Sequence, residues 1–413
     1  MKKKIQRYCI VFFSLIAGYF IFMLLGCLIP DKPVQRNIAR SVPVFMLQGD
    51  YPYAIIAKPE CKMDNFTDAL ILNMTYHISR DSLKTSLLLN PYTINDIYMN
   101  VNLEKAVERA PSSVTYYARY WHGSSFLMRY LLLFGNYEHI RQLLYVISSV
   151  LLLCVAALLY RETGLAFALY FFSGFMLLHG FITQMCLQFF PTIAIALVAT
   201  IAICCKWRNF PAVLMVFFVS GSVTSFFDLF SAPLLTFGLP VLAFLVLNRN
   251  TEETWGQSLW NVVKTGIVWF VAYATTWGTK WLVATLFTSV NVFQSAAGSG
   301  LAHSHTLAEG GRCVALSANM QLLNFPLILS LLLVAAIIAF VFFNKKGLKT
   351  ALICLLVSLT PYVWYFAVAS HSYWHSWFTY RGQMITVSGF FLFFACLTDW
   401  QKVKSLPDKI RKH

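Results

Sequence analysis

Charge is what this sequence has least of: Asp, Glu, Lys and Arg make up 12% of its 413 residues, and only 17 residues are acidic. Soluble domains carry about 25% charged residues. So little charge beside 58% hydrophobic residues excludes water as the main solvent of the chain. Soluble-enzyme signatures are absent as well: there is no Walker loop, dinucleotide glycine fingerprint, HExxH, GxSxG or paired CxxC. That leaves no nucleotide or flavin motif and argues against ATP-driven chemistry within the chain. Repeats of about 20–50 residues are also missing. The ten cysteines do not form a disulfide scaffold, because most sit in apolar runs, where a thiol is a small hydrophobe. Cys61 and Cys313 are the exceptions. Both fall in predicted outer loops where oxidation is possible, and they are expected to pair.

Long apolar runs take the place of the missing charge. Windows of spanning length, roughly 20 residues, predict about ten transmembrane helices: 8–29, 140–160, 163–183, 189–205, 210–227, 233–247, 262–287, 322–343, 350–369 and 384–397. The first run follows Lys2, Lys3 and Lys4. It is too long for a signal h-region, and Cys27-Leu28-Ile29-Pro30 is not an A-x-A-like cleavage site, so a retained helix is expected. The net charge of +15 is placed topologically. Lys2 to Arg7, Arg161, Lys206 with Arg208, Arg249, Lys345 with Lys346 and Lys349, and the tail from Lys402 fall in alternate gaps, which the positive-inside rule assigns to the cytoplasm. The expectation is an all-α multi-pass protein of the cell membrane, one membrane domain over 1–413 with both termini cytoplasmic. No nucleic-acid partner is needed to explain the charge.

Residues 30–137 are too polar for lipid and too rich in periodic apolar positions for disorder, so they are expected to fold as an extracytoplasmic subdomain with amphipathic helices. Phe66, Leu70, Met74 and Ile78 share one stripe, which predicts a helix lying on the membrane surface. Tyr116, Tyr117, Tyr120 and Trp121 predict a second interfacial helix. A second outer loop, 288–321, is rich in Gly, Ser and Ala, contains His303 and His305, and reads as mobile.

Candidate chemistry gathers in the outer segments. Asp64 and Asp68 stand at i and i+4, a spacing that allows two carboxylates to share a proton or to hold a divalent metal between their oxygens. The alternative is a helix cap at Asp64 and a solvated Asp68. Asp50, in a turn sequence, and Asp31, after the first helix, are weaker acidic candidates. The run from His371 to Arg381 is the most unusual in the chain. In a helix, His371 and His375 share a face, Tyr380 and the tryptophans offer stacking surfaces, and Arg381 can donate paired hydrogen bonds to a phosphate; interfacial anchoring explains the aromatics equally well. Arg119, Trp121 and His122 repeat the mixture, and Lys280 is an intramembrane cation, costly enough to be a functional candidate unless it snorkels to the headgroups. Asp228 is expected to cap the helix after Pro233.

A basic start, one helix, a large outer loop with amphipathic helices and an acidic residue, then many spans resembles the GT-C superfamily of membrane glycosyltransferases. The likeness covers the whole layout, with the Asp64 to Asp68 stretch as its local match. The resemblance implies that a first-loop carboxylate is the catalytic base and that basic residues of outer loops hold the phosphate of a polyprenyl-linked sugar donor. Here the acids are four residues apart rather than adjacent, which leaves the base open between Asp64 and Asp68. The expected function is transfer of a sugar from a polyprenyl phosphate or diphosphate to an envelope glycan, lipid or protein. Arg119, Trp121, His122, Lys280, His371, His375, Tyr380 and Arg381 would bind the donor and its leaving group. A transporter or flippase for a lipid-linked saccharide and a non-enzymatic envelope assembly protein are the rivals.

Overall fold

The structure, a computed structural model, describes residues 2–55, 61–304, 311–320 and 326–405. The chain rises through α1 (Lys2–Leu28) and enters a cap, residues 29–136. The cap is built from α2 (Asp31–Ala39), α3 (Val42–Gln48), α4 (Asn65–His77), α5 (Leu83–Leu88), α6 (Met99–Glu108) and α7 (Gly123–Leu131). Two small antiparallel sheets brace it: β1 (Tyr53–Ile55) with β2 (Cys61–Lys62), and β3 (Pro91–Ile94) with β4 (Ser113–Tyr116).

The centre of the cap is α4, whose residues Asp68 to Thr75 are all buried against Val34, Ile38, Phe45, Leu103 and Met128. The sequence stripe predicted a surface-lying helix, and the structure corrects that. The polar side of α4 is not offered to water: Asn73 exchanges two 2.9 Å hydrogen bonds with the backbone of Thr93 on β3, and the Thr75 hydroxyl donates to Ile71 O and Ser125 O. Polar residues with protein partners read as a solvated face when only periodicity is seen. The interfacial helix expected around Tyr116 to Trp121 is also corrected. Tyr116 ends β4, and the chain turns through His122, at a left-handed φ of 57°, into α7.

The remaining chain forms the bundle: α8 (Tyr137–Thr163), α9 (Leu165–Leu177), α10 (Gly180–Thr183), α11 (Phe190–Lys206), α12 (Phe210–Phe227), α13 (Leu235–Leu247), α14 (Trp255–Phe287), α15 (Val292–Ser304), α16 (Cys313–Met320), α17 (Pro326–Val341), α18 (Leu348–Ser358), α19 (Thr360–Ala367), α20 (Ala369–Trp374), α21 (Ser376–Thr379), α22 (Met384–Leu397) and α23 (Trp400–Lys404). Among the described residues, five helical spans are long and apolar enough to cross a membrane, 2–28, 137–163, 210–227, 345–367 and 376–397, where about ten were expected. Four other apolar windows became helices too short to span alone. α9 and α13 have 13 residues each, α17 has 16 and α11 has 17. At about 1.5 Å per residue, thirteen residues reach about 20 Å of a roughly 30 Å hydrocarbon core. α14, with 33 residues, is long enough but is diluted by Gln257, Asn261, Lys264 and Lys280. The architecture is all-α apart from the two small sheets, and its long apolar helices are consistent with a multi-pass membrane protein.

All thirteen residues of α13 are buried, so this uniformly apolar helix is the bundle axis rather than a lipid-facing element. Close helix approach depends on missing side chains: a Cβ on Gly221 of α12 would stand 2.3 Å from Trp269 O of α14, and one on Gly174 of α9 would stand 2.2 Å from Met384 O of α22. By contrast α1, α8 and α17 expose Ile10, Phe13, Leu153, Leu333 and Phe340, an apolar flank of the kind lipid covers.

At the end of the bundle away from the cap, several basic gaps meet. Lys349 Nζ donates to Thr251 O at 3.1 Å and Glu253 O at 2.7 Å, and Arg249 lies 4.6 Å over the Phe167 ring. Two further expectations are corrected. The segment 288–321 contains α15 and α16 rather than only loop; the side chain of His303 and all of His305 lie outside the described residues. Cys61 is buried in the cap, Cys313 is exposed, and neither is bonded to another cysteine.

Candidate functional site

Two clusters of the candidate residues line the interface between cap and bundle. The first begins at the start of α4. Asp64 is its N-cap, accepting from Thr67 N at 3.0 Å and the Thr67 hydroxyl at 2.9 Å. One turn on, Asp68 accepts from the Tyr137 hydroxyl at 2.6 Å, Leu187 N at 3.0 Å and Gln188 N at 3.1 Å. These three donors come from the start of α8 and from the loop before α11, so Asp68 fastens cap to bundle. Both carboxylates are buried rather than water-facing. Burial pushes Asp64 up to about 7, with the neighbouring Asp68 adding to the rise while the Thr67 hydrogen bonds and Arg381 oppose it. Burial raises Asp68 to about 6, opposed first by the Tyr137 hydrogen bond.

Arg381 reaches this cluster from the other end of the chain. Its run is not one helix: α20, α21 and a 3₁₀ turn, Tyr380–Gln383, follow one another with breaks, which buries Tyr380 and Arg381. The guanidinium donates through Nη2 to Lys62 O at 2.7 Å, lies 3.7 Å from Cys61 Sγ and sits 4.2 Å over the Phe189 ring. Arg381 Nε and Nη1, the Tyr380 hydroxyl, Gln188 Oε1 and both amide atoms of Gln184 are buried without a hydrogen-bond partner among the described residues, although the Tyr380 hydroxyl lies beside Cys61 and Arg381. Unsatisfied buried polar atoms are expensive, about 1–3 kcal/mol each. Their concentration here marks a place that solvent or a ligand completes.

The second cluster contains Arg119, Trp121, His122 and Lys280, joined mostly through backbone carbonyls. Trp277 and Trp281 of α14 both donate to Arg119 O, at 2.7 and 2.9 Å, and Trp121 donates to Thr276 O at 2.9 Å. Arg119 itself lies 5.1 Å over the Tyr117 ring. Lys280 is fully buried; its Nζ donates to Leu87 O at 3.0 Å and lies 5.8 Å over Trp121, so it does not snorkel. His122 Nε2 pairs with Tyr117 O at 2.7 Å, and burial, helped by Lys280, lowers its pKa to about 3, which keeps the imidazole neutral.

A chain of rings links the clusters. Tyr120 stacks on Trp277 at 5.5 Å, Trp277 meets Phe230 at 5.7 Å, Phe230 meets His371 at 5.3 Å, and His371 and Phe189 both meet Phe378 at 5.9 Å. His371 and His375 do come together, with ring centroids 4.8 Å apart, even though a break separates α20 from α21. No group of three His, Cys, Asp or Glu side chains suited to a metal occurs among the described residues.

The other acids have fixed tasks. Asp31 pairs with the fully buried Arg129 at 2.7 Å, and Arg129 Nε donates to Gly26 O, closing the C-terminal end of α1. Asp50 accepts from Met99 N and Asn100 N, so it caps α6 across the cap. Asp228 does not cap α13, whose N-cap is Leu234. It accepts from Phe230 N at 2.9 Å and Ser231 N at 3.1 Å and so holds Phe230 at a left-handed φ of 69°.

Sequence reasoning missed Tyr137, Gln184, Gln188 and Phe189, which complete the first cluster, and Arg129. Arg129 carried a usable signal, a lone cation inside Phe126-Leu127-Met128-Arg129-Tyr130-Leu131. The two glutamines carried another, as the polar ends of a gap with no lysine or arginine. Tyr137 and Phe189 carried none, because aromatic residues at span ends are common. Comparison of the chain with protein-family models, curated proteins and solved structures found no match.

Proposed function

We propose that the protein is a GT-C-like glycosyltransferase that moves a sugar from a polyprenyl phosphate or diphosphate to an envelope acceptor at the cap side of the membrane, taken as the outer face. The observation that carries this reading is the convergence of a first-loop carboxylate, Asp64, and the buried Arg381 from the last third of the chain on one cluster. Arg381 donates to Lys62 O, two residues before Asp64, and opposes the rise of the Asp64 pKa, beside buried polar atoms that have no partner among the described residues. A carboxyl group with a pKa of about 7 is matched to proton transfer near neutral pH. Asp68, with three donors on its two oxygens, is committed to positioning, so the role of base falls to Asp64. Asp64 removes the proton from the acceptor hydroxyl, the hydroxyl oxygen bonds to the anomeric carbon, and the bond from that carbon to the phosphate oxygen breaks. Charge then grows on the departing phosphate, which Arg381, the fully buried cation of the cluster, would neutralise. His371 and His375 lie on the aromatic chain, the Tyr380 ring stands 5.6 Å from the Arg381 guanidinium, and the three would flank the donor.

The test is transfer by purified protein in nanodiscs, given a labelled polyprenyl-phosphate or -diphosphate sugar and envelope glycan. Asp64→Asn is expected to lower transfer by about 10²–10⁴-fold; undiminished transfer would remove Asp64 as the base. Movement of the labelled lipid across vesicles without glycosidic bond formation would replace the reading with a flippase.

A further inference from the structure

We infer that the groove at the end of the bundle away from the cap is a binding site for one anionic glycerophospholipid, with its phosphate among Arg249, Lys346 and Lys404 and an acyl chain along Leu165 and Leu169. The inference does not rest on the transferase reading, since the groove shares no residue with the Asp64 and Arg381 cluster.

The groove is a cavity of about 1210 Å³. Its wall draws on four stretches far apart in sequence: the turn from α8 into α9, the loop after α13, the connection from α17 to α18, and the chain from α22 into α23. Backbone pairing holds these walls together: Asn344 N donates to Leu397 O and Asp399 N to Phe342 O, each at 2.7 Å. A cavity built in this way is part of the fold rather than a dent between side chains.

Its chemistry is two-sided. Four cations, Arg249, Lys346, Lys349 and Lys404, face two acids, Glu252 and Asp399. Asp399 is already engaged, accepting from Gln401 N and Lys402 N and pairing with Lys402 at 3.6 Å. Lys349 is engaged too, through its bonds to Thr251 O and Glu253 O. Arg249 donates through Nη1 to Val246 O at 2.8 Å but has further guanidinium donors, so the groove offers Arg249, Lys346 and Lys404 to an anion. Its other side is apolar: Leu165 and Leu169 are each 60% exposed on the flank that lipid would cover. Between the two sides stand Tyr170 and Trp400, ring to ring at 5.8 Å, a pair of amphipathic rings suited to headgroup depth. Free phosphate needs only the cations, and an uncharged lipid only the leucines. A basic pocket between spans that also opens onto the apolar flank fits a molecule carrying both.

The test is native mass spectrometry of the delipidated full chain, titrated separately with phosphatidylglycerol, phosphatidylcholine of the same chains, and inorganic phosphate. The expected result is one tightly held phosphatidylglycerol, with phosphatidylcholine stripped at lower collision energy and no competition from millimolar phosphate. R249Q/K346Q/K404Q is expected to weaken phosphatidylglycerol binding by roughly 100-fold, on the basis of about fivefold per basic side chain. K2Q/K3Q/K4Q, with the same change in net charge, should leave it unaltered. If the triple variant does not fold, K346Q/K404Q, which alters only exposed side chains, should weaken binding roughly 25-fold. Equal retention of the two lipids, displacement by phosphate, or equal weakening in the Lys2 to Lys4 variant overturns the inference.

Discussion

The two clusters at the cap interface hold similar residues and use them differently. Around Trp121, His122 and Lys280, each of these three side chains bonds a main-chain carbonyl, Trp121 at Thr276, His122 at Tyr117 and Lys280 at Leu87, and of their polar atoms one, His122 Nδ1, is buried without a partner among the described residues. Around Asp64, Asp68 and Arg381, the main chain supplies Thr67 N, Leu187 N, Gln188 N and Lys62 O, and side-chain bonds join Asp64 to Thr67 and Asp68 to Tyr137. Several buried polar atoms there, Arg381 Nε and Nη1 among them, have no hydrogen-bond partner among the described residues. The first arrangement resembles a fastening, the second an unfinished network. A buried ionisable residue is therefore not by itself a mark of chemistry; what its neighbours leave unsatisfied is more informative.

The sharpest way to break this contrast is to remove charge from each cluster. Arg381→Met should lower transfer by about 10²–10³-fold through lost stabilisation of the leaving phosphate. It should also destabilise the protein by about 1–3 kcal/mol, because Lys62 O loses its buried donor. Activity and thermal unfolding read the two effects separately, and unchanged values in both would dissolve the distinction between clusters.

A smaller effect is expected at Asp68→Asn. An amide in place of one carboxylate oxygen sets an N–H against the backbone N–H of Leu187 or Gln188, so a loss of about 1–3 kcal/mol follows, measured by denaturant unfolding. The pH profile of any remaining transfer should keep a titration with its midpoint moved to lower pH, because Asp68 no longer adds to the rise of the Asp64 pKa. Loss of the titration altogether would make Asp68, rather than Asp64, the titrating base.

The pH response separates the clusters more gently. Asp64 binds its proton more tightly folded, at about 7, than an ordinary carboxyl at about 3.9. Its contribution to stability is thus greatest at low pH and is lost as pH rises through about 7, whereas transfer should rise over the same range as the base ionises. Asp64→Asn should flatten the fall in melting temperature between pH 6 and 8. His122 is neutral throughout that window when folded but takes up a proton near its ordinary value of 6.5 when unfolded, so it adds a rise in stability with pH, and His122→Gln should steepen the fall rather than flatten it.

The smallest change is predicted at Lys280→Met. Replacing one satisfied buried ammonium by an apolar side chain of similar length should alter stability by less than about 1 kcal/mol or raise it slightly. Transfer should stay within about twofold, since the site is argued to lie elsewhere. A large loss of transfer would return Lys280 to the donor site.

Part of this was legible in the sequence. Ten apolar windows could be seen, but not that the window at 163–183 would yield a helix of only 13 residues, because hydropathy averages across a turn such as the one at His179. Candidate residues such as Asp64 and Arg381 could be picked by type and setting. Their partners could not, because Tyr137, Gln188 and Phe189 are ordinary residues until tertiary contact brings them to a carboxylate or a guanidinium.

The apolar runs alone determined that this chain has several membrane-length helices, and with the scarcity of charge they are consistent with a multi-pass membrane protein, because burial of apolar surface depends on composition before geometry. Only the tertiary structure decided that α4 is the buried centre of the cap rather than a helix on the membrane surface, that α13 is the axis of the bundle, and that Asp64 and Arg381, more than three hundred residues apart, share one environment. Contacts at that separation are fixed by packing complementarity, which no local periodicity records.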